Sequence, residues 1–233
     1  MNPAAVEAAK LSAAPDARAK TIAKTIANNL RADILNGRLS PGLKLRLDDL
    51  KESLGVSLSP LREGLSRLAA EGLVTGEDQR GFSVAPVSRQ DLLEIIDLRT
   101  MLETKALRAS IEQGDDEWEA RVVATHHLLS KLEDRRWKPS YFDEWEDKHR
   151  AFHNALIRAS NSPLLLNFSQ TLVDMNHRYR RIYNLKNPPK RDVAQEHRGL
   201  VEAALARDAD KACTLLREHI ERTAKNILKS MDA

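Results

Sequence analysis

The sequence predicts a mainly α-helical protein with a small N-terminal domain and a larger, entirely helical C-terminal domain. Apolar residues recur at helical spacing over most of the 233 residues, whereas short β-prone segments occur only between about residues 73 and 85. Beyond residue 88 the helical pattern continues to the end, broken only where glycine or proline occurs. A chain of this length can bury two separate cores.

The composition excludes several classes of protein. Hydrophobic residues make up 42% and charged residues 30% of the chain, which excludes a disordered chain, a collagen and a coiled-coil rod. No apolar run reaches the ~20 residues needed to cross a bilayer, and no signal-peptide pattern occurs, so we expect a cytoplasmic protein without a membrane partner. The single cysteine, Cys213, excludes an internal disulfide and a cysteine-rich zinc site. A metal would therefore be held by His, Asp or Glu.

The N-terminal domain is predicted to begin after a mobile tail of residues 1–18, in which no apolar stripe is found. Apolar residues then predict three helices, with Ile22, Ile26, Leu30 and Ile34 in the first, Leu47, Leu50 and Leu54 in the second, and Leu61, Leu65 and Leu68 in the third. The second helix ends at Gly55, and Ser59-Pro60 opens the third after a tight turn.

Two β-prone segments follow, at residues 73–75 and 82–85, and the polar stretch between them predicts a hairpin. A helix, a short helix, a tight turn, another helix and a hairpin over residues 19–87 form the pattern of a winged helix-turn-helix. Because the second helix of such a motif enters the major groove, the pattern predicts double-stranded operator DNA as the partner.

The third predicted helix, which is the second helix of the motif, is the recognition helix. Short polar or cationic residues near it are the candidate DNA contacts. Serine hydroxyls and guanidinium groups bind phosphates or base edges. The candidates are Arg46, Ser57, Ser59, Arg62, Arg67 and, at the hairpin tip, Arg80. On an isolated helix the same residues would be interpreted as solvated charges, and the surrounding winged pattern favours the DNA interpretation.

The C-terminal domain is predicted over residues 88–230 and contains four histidines that suit a metal site. His149 and His153 are four residues apart and therefore lie on one face of a helix. His197 and His219 lie on two further predicted helices. A single helical histidine is more often a core or surface residue than a ligand, so the prediction depends on the four acting together. The remaining histidines, His126, His127 and His177, fit no chelate.

The N-terminal motifs resemble a known family. LGVS at residues 54–57, SPLREGL at 59–65 and EGLV at 71–74 resemble the signature of GntR-type transcriptional regulators. These proteins usually carry an arginine immediately before the Ser/Thr-Pro pair, and here that position is Leu58. Since leucine donates no hydrogen bond, we expect a changed base preference.

The C-terminal motifs are similar to the FCD ligand-binding domain of the FadR subfamily, which implies an all-α bundle of six to seven helices. The matching segments are FHNAL at residues 152–156, ASNSPLL at 159–165, EHR at 196–198 and Glu218-His219. In metal-binding members an aspartate stands where this chain has His149, so the resemblance implies a site of four histidines. That substitution resembles the CsiR-like branch of repressors, which sense short dicarboxylates such as glutarate. An all-nitrogen site favours zinc, with nickel or manganese as alternatives, over calcium or magnesium.

The resemblance also implies an effector site beside the metal. Two coordination positions would remain for an effector carboxylate, and Arg99, at a family position that faces the cavity, would hold its other end while Glu103 orients it. Arg178, Tyr179 and Arg181 are further candidates for this pocket. The alternative for Arg99 is a solvated charge or a structural ion pair with Glu103. We expect a small dicarboxylate or hydroxy acid as the effector.

Together these patterns predict a dimeric, metabolite-responsive transcription factor, a repressor that binds a near-palindromic operator. Two alternatives are a metal-dependent hydrolase and a helical interaction module with a DNA-binding head. A zincin peptidase places glutamate directly after the first histidine of its helical pair, but here Arg150 occupies that position and cannot act as a general base. No nucleophile elbow or phosphate-binding glycine loop occurs either, so the sequence predicts that the protein is not an enzyme.

Overall fold

The computed structural model describes residues 15–77, 81–133, 138–185, 188 and 190–232, and over these residues the fold is mainly α-helical, as predicted. The chain divides into two compact units, one ending at Pro86 and the other beginning at Val87. This division lies one residue before the predicted boundary. Within the described residues, every helix is too short or too polar to cross a membrane.

The first unit combines three helices with a small antiparallel sheet. Its elements are α1 (Pro15–Leu35), β1 (Lys44–Leu45), α2 (Leu47–Leu54), α3 (Leu58–Ala70), β2 (Val74–Glu77) and β3 (Gly81–Val84). The strand order is β1-β3-β2, with Lys44 opposite Ser83 and Val74 opposite Val84. The predicted tail is wrong from Pro15 onwards, because α1 already begins there; residues 1–14 lie outside the described residues.

The core of the first unit lies between α1 and α3. Leu61, Leu65 and Leu68 of α3 are fully buried, and α3 packs against α1. A Cβ atom at Gly64 would lie 3.0 Å from the carbonyl oxygen of Ala23, so the two helix backbones approach closely there. Gly55 adopts a left-handed conformation with φ of 61°, which produces the tight turn between α2 and α3.

The second unit is built from helices in its described residues. These are α4 (Arg89–Gln113), α5 (Asp116–Ser130), α6 (Pro139–Ile157), α7 (Pro163–Tyr179), α8 (Val193–Leu205) and α9 (Ala209–Met231). A 3₁₀ turn (Arg158–Ser160) follows α6, and a π-helical turn (Arg180–Asn184) follows α7. Ser88, Asp115, Asp192 and Asp208 cap α4, α5, α8 and α9 by accepting a hydrogen bond from a backbone amide in the first turn.

Helix α4 organises the second core. It packs against α6, α7 and α9, and its apolar face includes the fully buried Leu92 and Leu107. Phe152 of α6, Leu200 of α8 and Leu216 of α9 belong to the same cluster of buried residues. The three helices that carry the predicted metal ligands are thus joined by one apolar core.

One glycine of this core is expected to be intolerant of substitution. A Cβ atom at Gly114 would lie 2.5 Å from the Trp118 ring and 2.6 Å from the Ser110 carbonyl oxygen. We expect Gly114→Ala to lower the free energy of unfolding by about 1–3 kcal/mol in urea titrations. Gly199→Ala, in α8, is the control, because a Cβ atom at Gly199 meets only Leu215 of α9, at an ordinary contact distance of 3.6 Å. It should be neutral or stabilising, and an equal loss in both variants would contradict the explanation by steric clash.

Candidate functional site

Four buried imidazoles meet inside the second unit. His149 and His153 come from α6, His197 from α8 and His219 from α9. One ligand nitrogen of each lies within 4.8 Å of those of the other three. We call these four residues the histidine cluster. Its members are separated by up to 70 residues in the chain, and the fold brings all of them to one place.

Aromatic side chains surround the cluster. The Trp145 ring stacks on His149 with a centroid distance of 4.6 Å, and the Phe152 ring stands edge-on to His197 at 5.4 Å. Trp145, His149, Phe152 and His153 all lie on α6, where spacings of three to four residues place them on the face that packs into the core. Trp145 and Phe152 therefore supply an apolar contact surface for two of the imidazoles.

Two carboxylates orient the imidazoles from behind. Glu133 Oε1 lies 2.8 Å from His197 Nδ1, and Glu196 Oε2 lies 2.8 Å from His219 Nδ1. A carboxylate at Nδ1 favours the tautomer that carries its proton there, and this leaves the Nε2 lone pair available for an ion. Metal-bound histidines commonly have such a partner.

Two of the inward nitrogens are not hydrogen bonded. The Nε2 atoms of His153 and His197 are buried and have no hydrogen-bond partner among the described residues. A buried polar atom without a partner is costly unless an ion or water satisfies it. The unpartnered nitrogens and the all-imidazole donor set fit a divalent transition metal ion such as zinc.

The electrostatics of the site favour the neutral form of three imidazoles, those of His149, His153 and His219. Burial lowers the pKa of His149, His153 and His219 well below the usual range, and the neighbouring histidines lower these pKa values further. Arg99 and Arg180 act in the same direction on His153. Since only a neutral imidazole has a lone pair for a metal, the environment favours the metal-binding form at neutral pH.

The carboxylate of Glu133 is expected to strengthen metal binding. In Glu133→Gln the affinity for Zn²⁺ should fall about tenfold, because the uncharged amide no longer raises the basicity of His197. Competition against a chromophoric chelator measures this change. Glu144→Gln is the control, because Glu144 is exposed on α6. Equal affinities in the two variants would show that the carboxylate at His197 has no such role.

Two buried ion pairs lie beside the cluster. On α4, Arg99 Nε donates to Glu103 Oε1 at 2.7 Å, and both side chains are almost fully buried. Arg180, the first residue of the π-helical turn after α7, bonds to the buried Glu146 carboxylate and places its Nη1 atom 3.4 Å from His149 Nδ1. Burial of an arginine requires such a partner. The structure therefore places Arg99 and Glu103 inside the unit, as a buried pair rather than as solvated charges.

The other predicted effector residues are placed differently. Arg178 is buried, and burial lowers its pKa. The Tyr179 hydroxyl accepts a hydrogen bond from the backbone N–H of Ser88 and donates one to its carbonyl oxygen, both at 3.2 Å. Its polar group is thus directed to the start of α4 and not to the histidine cluster. Arg181 pairs with the exposed Asp143.

Arg180, Glu146 and Glu133 were not predicted at this site. A signal for Arg180 was present, since it follows the buried Val173 by seven residues and so lies on the same helical face. Glu146 carried the same kind of signal, since it precedes His149 by three residues on the buried face of α6. Glu133 gave no such signal, because only its contact with His197 identifies it.

The candidate DNA contacts lie at the surface of the first unit. Arg46, Ser57, Ser59, Arg62 and Arg67 are all exposed, whereas Arg80 lies outside the described residues. Ser57 immediately precedes α3, and its side chain forms no capping hydrogen bond within the described residues. Arg67 bonds to Glu63 at 2.6 Å along the same helix. A row of donors thus lies along the exposed face and N-terminus of α3.

Each of the two units matches a known protein family. Residues 22–84 match the bacterial regulatory proteins of the gntR family, and residues 94–222 match the FCD domain. BphR of Paraburkholderia xenovorans strain LB400, named an uncharacterized HTH-type transcriptional regulator, is 43% identical over 215 residues, which cover 91% of this chain and 88% of that protein. GlaR of Escherichia coli strain K12, named an HTH-type transcriptional repressor, is 40% identical over 195 residues, which cover 82% of this chain and 89% of that protein.

A solved structure shows the same fold. The E. coli protein McbR/YncC superimposes with a TM-score of 0.75 at 21% identity, covering 90% of this chain and 98% of the other. The relatives are named as regulators of transcription, which agrees with the prediction that the protein is not an enzyme. The chain therefore belongs to the GntR family of DNA-binding transcriptional regulators and carries an FCD domain as its C-terminal unit.

Proposed function

We propose that the protein is a dimeric repressor that responds to a small carboxylate bound at a four-histidine metal centre. The histidine cluster carries this proposal, because its buried and partly unpartnered nitrogens converge within 4.8 Å. His149, His153, His197 and His219 would hold the ion. A divalent ion, with zinc expected before nickel or manganese, would supply a cationic partner for an effector carboxylate.

Arg99 would hold the far end of the effector. A guanidinium pairs with a carboxylate through two parallel hydrogen bonds, and such a pair is strong where water is excluded. Glu103 orients Arg99 through its Nε atom at 2.7 Å. Arg178 supplies a second buried cation in the same unit. These features suit a dicarboxylate such as glutarate, or a hydroxy acid, with one carboxylate at the metal and a polar group at Arg99.

Repression is supported by the name of one relative, GlaR, which is a transcriptional repressor at 40% identity. For the effector to release the operator, it must bind the DNA-free state more tightly than the DNA-bound state. A coupling of about 1–3 kcal/mol between the two ligands gives an induction ratio of about 5-fold to 150-fold. DNA lowers effector affinity by the same factor, since the coupling is reciprocal.

Metal analysis combined with a thermal-shift screen tests the proposal. We expect about one equivalent of transition metal per chain. C4–C6 dicarboxylates or hydroxy acids should raise the Tm, and this increase should disappear after treatment with chelator. The same compound should weaken binding to the DNA upstream of the protein's own gene in a gel shift. A Tm shift of equal size in the chelated protein would contradict effector binding at the metal.

The dimer is supported by apolar side chains exposed on two helices that pack against each other. Leu93, Leu98 and Met101 of α4 and Leu164 and Phe168 of α7 are all exposed, and Phe168 by 62%. Exposed apolar surface concentrated in one region typically marks an interface. A second copy of the chain would cover this face and supply the second recognition helix that a near-palindromic operator requires.

Phe168→Asp is expected to convert the dimer to a monomer, because a buried, unpaired carboxylate opposes association. Light scattering after gel filtration should show the mass fall from two chains to one, and operator affinity should fall with it. Leu128→Asp is the control, because Leu128 is also exposed but lies on α5, which packs mainly against α6 and α8. A Phe168→Asp variant that remains dimeric would place the interface elsewhere.

A further inference from the structure

One leucine of α3, the predicted recognition helix, lies outside the buried core of the first unit. Helix α3 contains four leucines, of which Leu61, Leu65 and Leu68 are fully buried. Leu58, the first residue of the helix, is 39% exposed. More than a third of its surface is therefore open to a partner.

The surroundings of Leu58 are polar and cationic. Ser57 and Ser59 flank it at the surface, and Arg62 lies one turn further along the same face. Arg62 is exposed and has no ion pair within the described residues, whereas Glu63 is occupied by Arg67. This face therefore combines one apolar group with hydroxyl donors and an unpaired cation, which suits nucleic acid better than an apolar protein surface.

The N-terminal residues of a recognition helix contact base edges in the major groove. Most groups exposed there are hydrogen-bond donors or acceptors, and leucine can satisfy none of them. The 5-methyl group of thymine is the apolar exception. We propose that Leu58 is a specificity-determining residue that packs against a thymine 5-methyl group in each operator half-site. Arg62, one turn further, makes the polar contacts that Leu58 cannot make.

Replacing thymine by deoxyuridine tests this contact, because it removes the methyl group and leaves base pairing unchanged. A tight-binding duplex is first selected from a randomised library, and each thymine is then replaced in turn. At fixed salt, fluorescence anisotropy should show one position per half-site where the replacement weakens binding of the wild-type protein about fourfold, the value of one buried methyl group. Replacement in both half-sites should weaken it about 15-fold.

Two variants connect this effect to Leu58. In Leu58→Ala the thymine and deoxyuridine duplexes should bind equally. Leu54→Ala is the matched control, because Leu54 is also 39% exposed but lies on α2, and it should keep the full difference. Both positions are exposed, so both variants are expected to fold, which circular dichroism verifies. A selected duplex that shows no methyl dependence at any thymine, or a dependence that persists in Leu58→Ala, would overturn the proposal while leaving DNA binding intact.

Discussion

Replacement of His153 by alanine is expected to lower the affinity for metal by about 100-fold to 1,000-fold. This estimate assigns to one ligand about a quarter of the ~10–16 kcal/mol with which four-ligand zinc sites bind. The neighbouring His149 and His219 cannot take over its coordination position, because each is buried and is itself a proposed ligand. Elemental analysis after dialysis against a weak chelator should show almost no metal, and the Tm shift caused by the effector should disappear with it.

His126→Ala separates this effect from a general loss of packing. His126 and His153 both lie against the Phe152 ring, with centroid distances of 5.5 and 5.3 Å, but His126 is outside the histidine cluster. The control variant should therefore keep its metal and its response. Stability is compared with the wild-type protein in excess chelator, so that any loss of folding appears independently of the ion. Full metal occupancy in His153→Ala would remove this residue from the ligand set.

The sequence predicts the helices of this fold well because their signal is long. Helix α4 spans 25 residues and α7 spans 17, so several turns contribute to each pattern. Strand β1 has two residues and was not predicted, because two residues contain no period. It exists through its pairing with β3, which lies almost 40 residues further along the chain. The early start of α1 was missed for a related reason, since residues 15–18 carry no apolar stripe.

The candidate site shows the same limit in its side chains. The spacing of His149 and His153 is visible within one helix, and this made the cluster predictable. The partners of these side chains are not visible in the same way, because His197 and Glu133 are 64 residues apart and Arg180 and Glu146 are 34 apart. The spacing within a helix can place a glutamate on the buried face, as it does Glu146, but only the fold shows which charge neutralises that buried carboxylate.

The burial of the Glu146 carboxylate leads to the second large effect. Glu146 is buried, bonds to Arg180 and lies 3.1 Å from His177 Nδ1. Removing its charge leaves the Arg180 guanidinium buried without its counter-ion, which typically costs about 3–5 kcal/mol. We therefore expect Glu146→Gln to lower the free energy of unfolding by that amount at pH 7, in urea titrations with chelator present.

Two further variants test the explanation. The double variant Glu146→Gln/Arg180→Met no longer contains the unpaired Arg180 guanidinium, so most of the lost free energy of unfolding should return. Asp143→Asn breaks the neighbouring pair with Arg181, where Asp143 is exposed, and should cost less than about 1 kcal/mol. Equal losses in Glu146→Gln and Asp143→Asn would contradict the assignment of the cost to burial.

The pH dependence provides an independent measurement of the same pair. Burial alone would raise the pKa of Glu146, but Arg180 and His177 outweigh burial and lower it from 4.5 to about 2. Because the folded state holds the carboxylate ionised while the unfolded chain takes up a proton near pH 4.5, the stabilisation is complete above that pH. It is lost as the pH falls from about 4.5 to about 2. The difference in stability between the wild-type protein and Glu146→Gln should shrink over that interval, and a difference that stays constant there would show that the charge of Glu146 is not its cause.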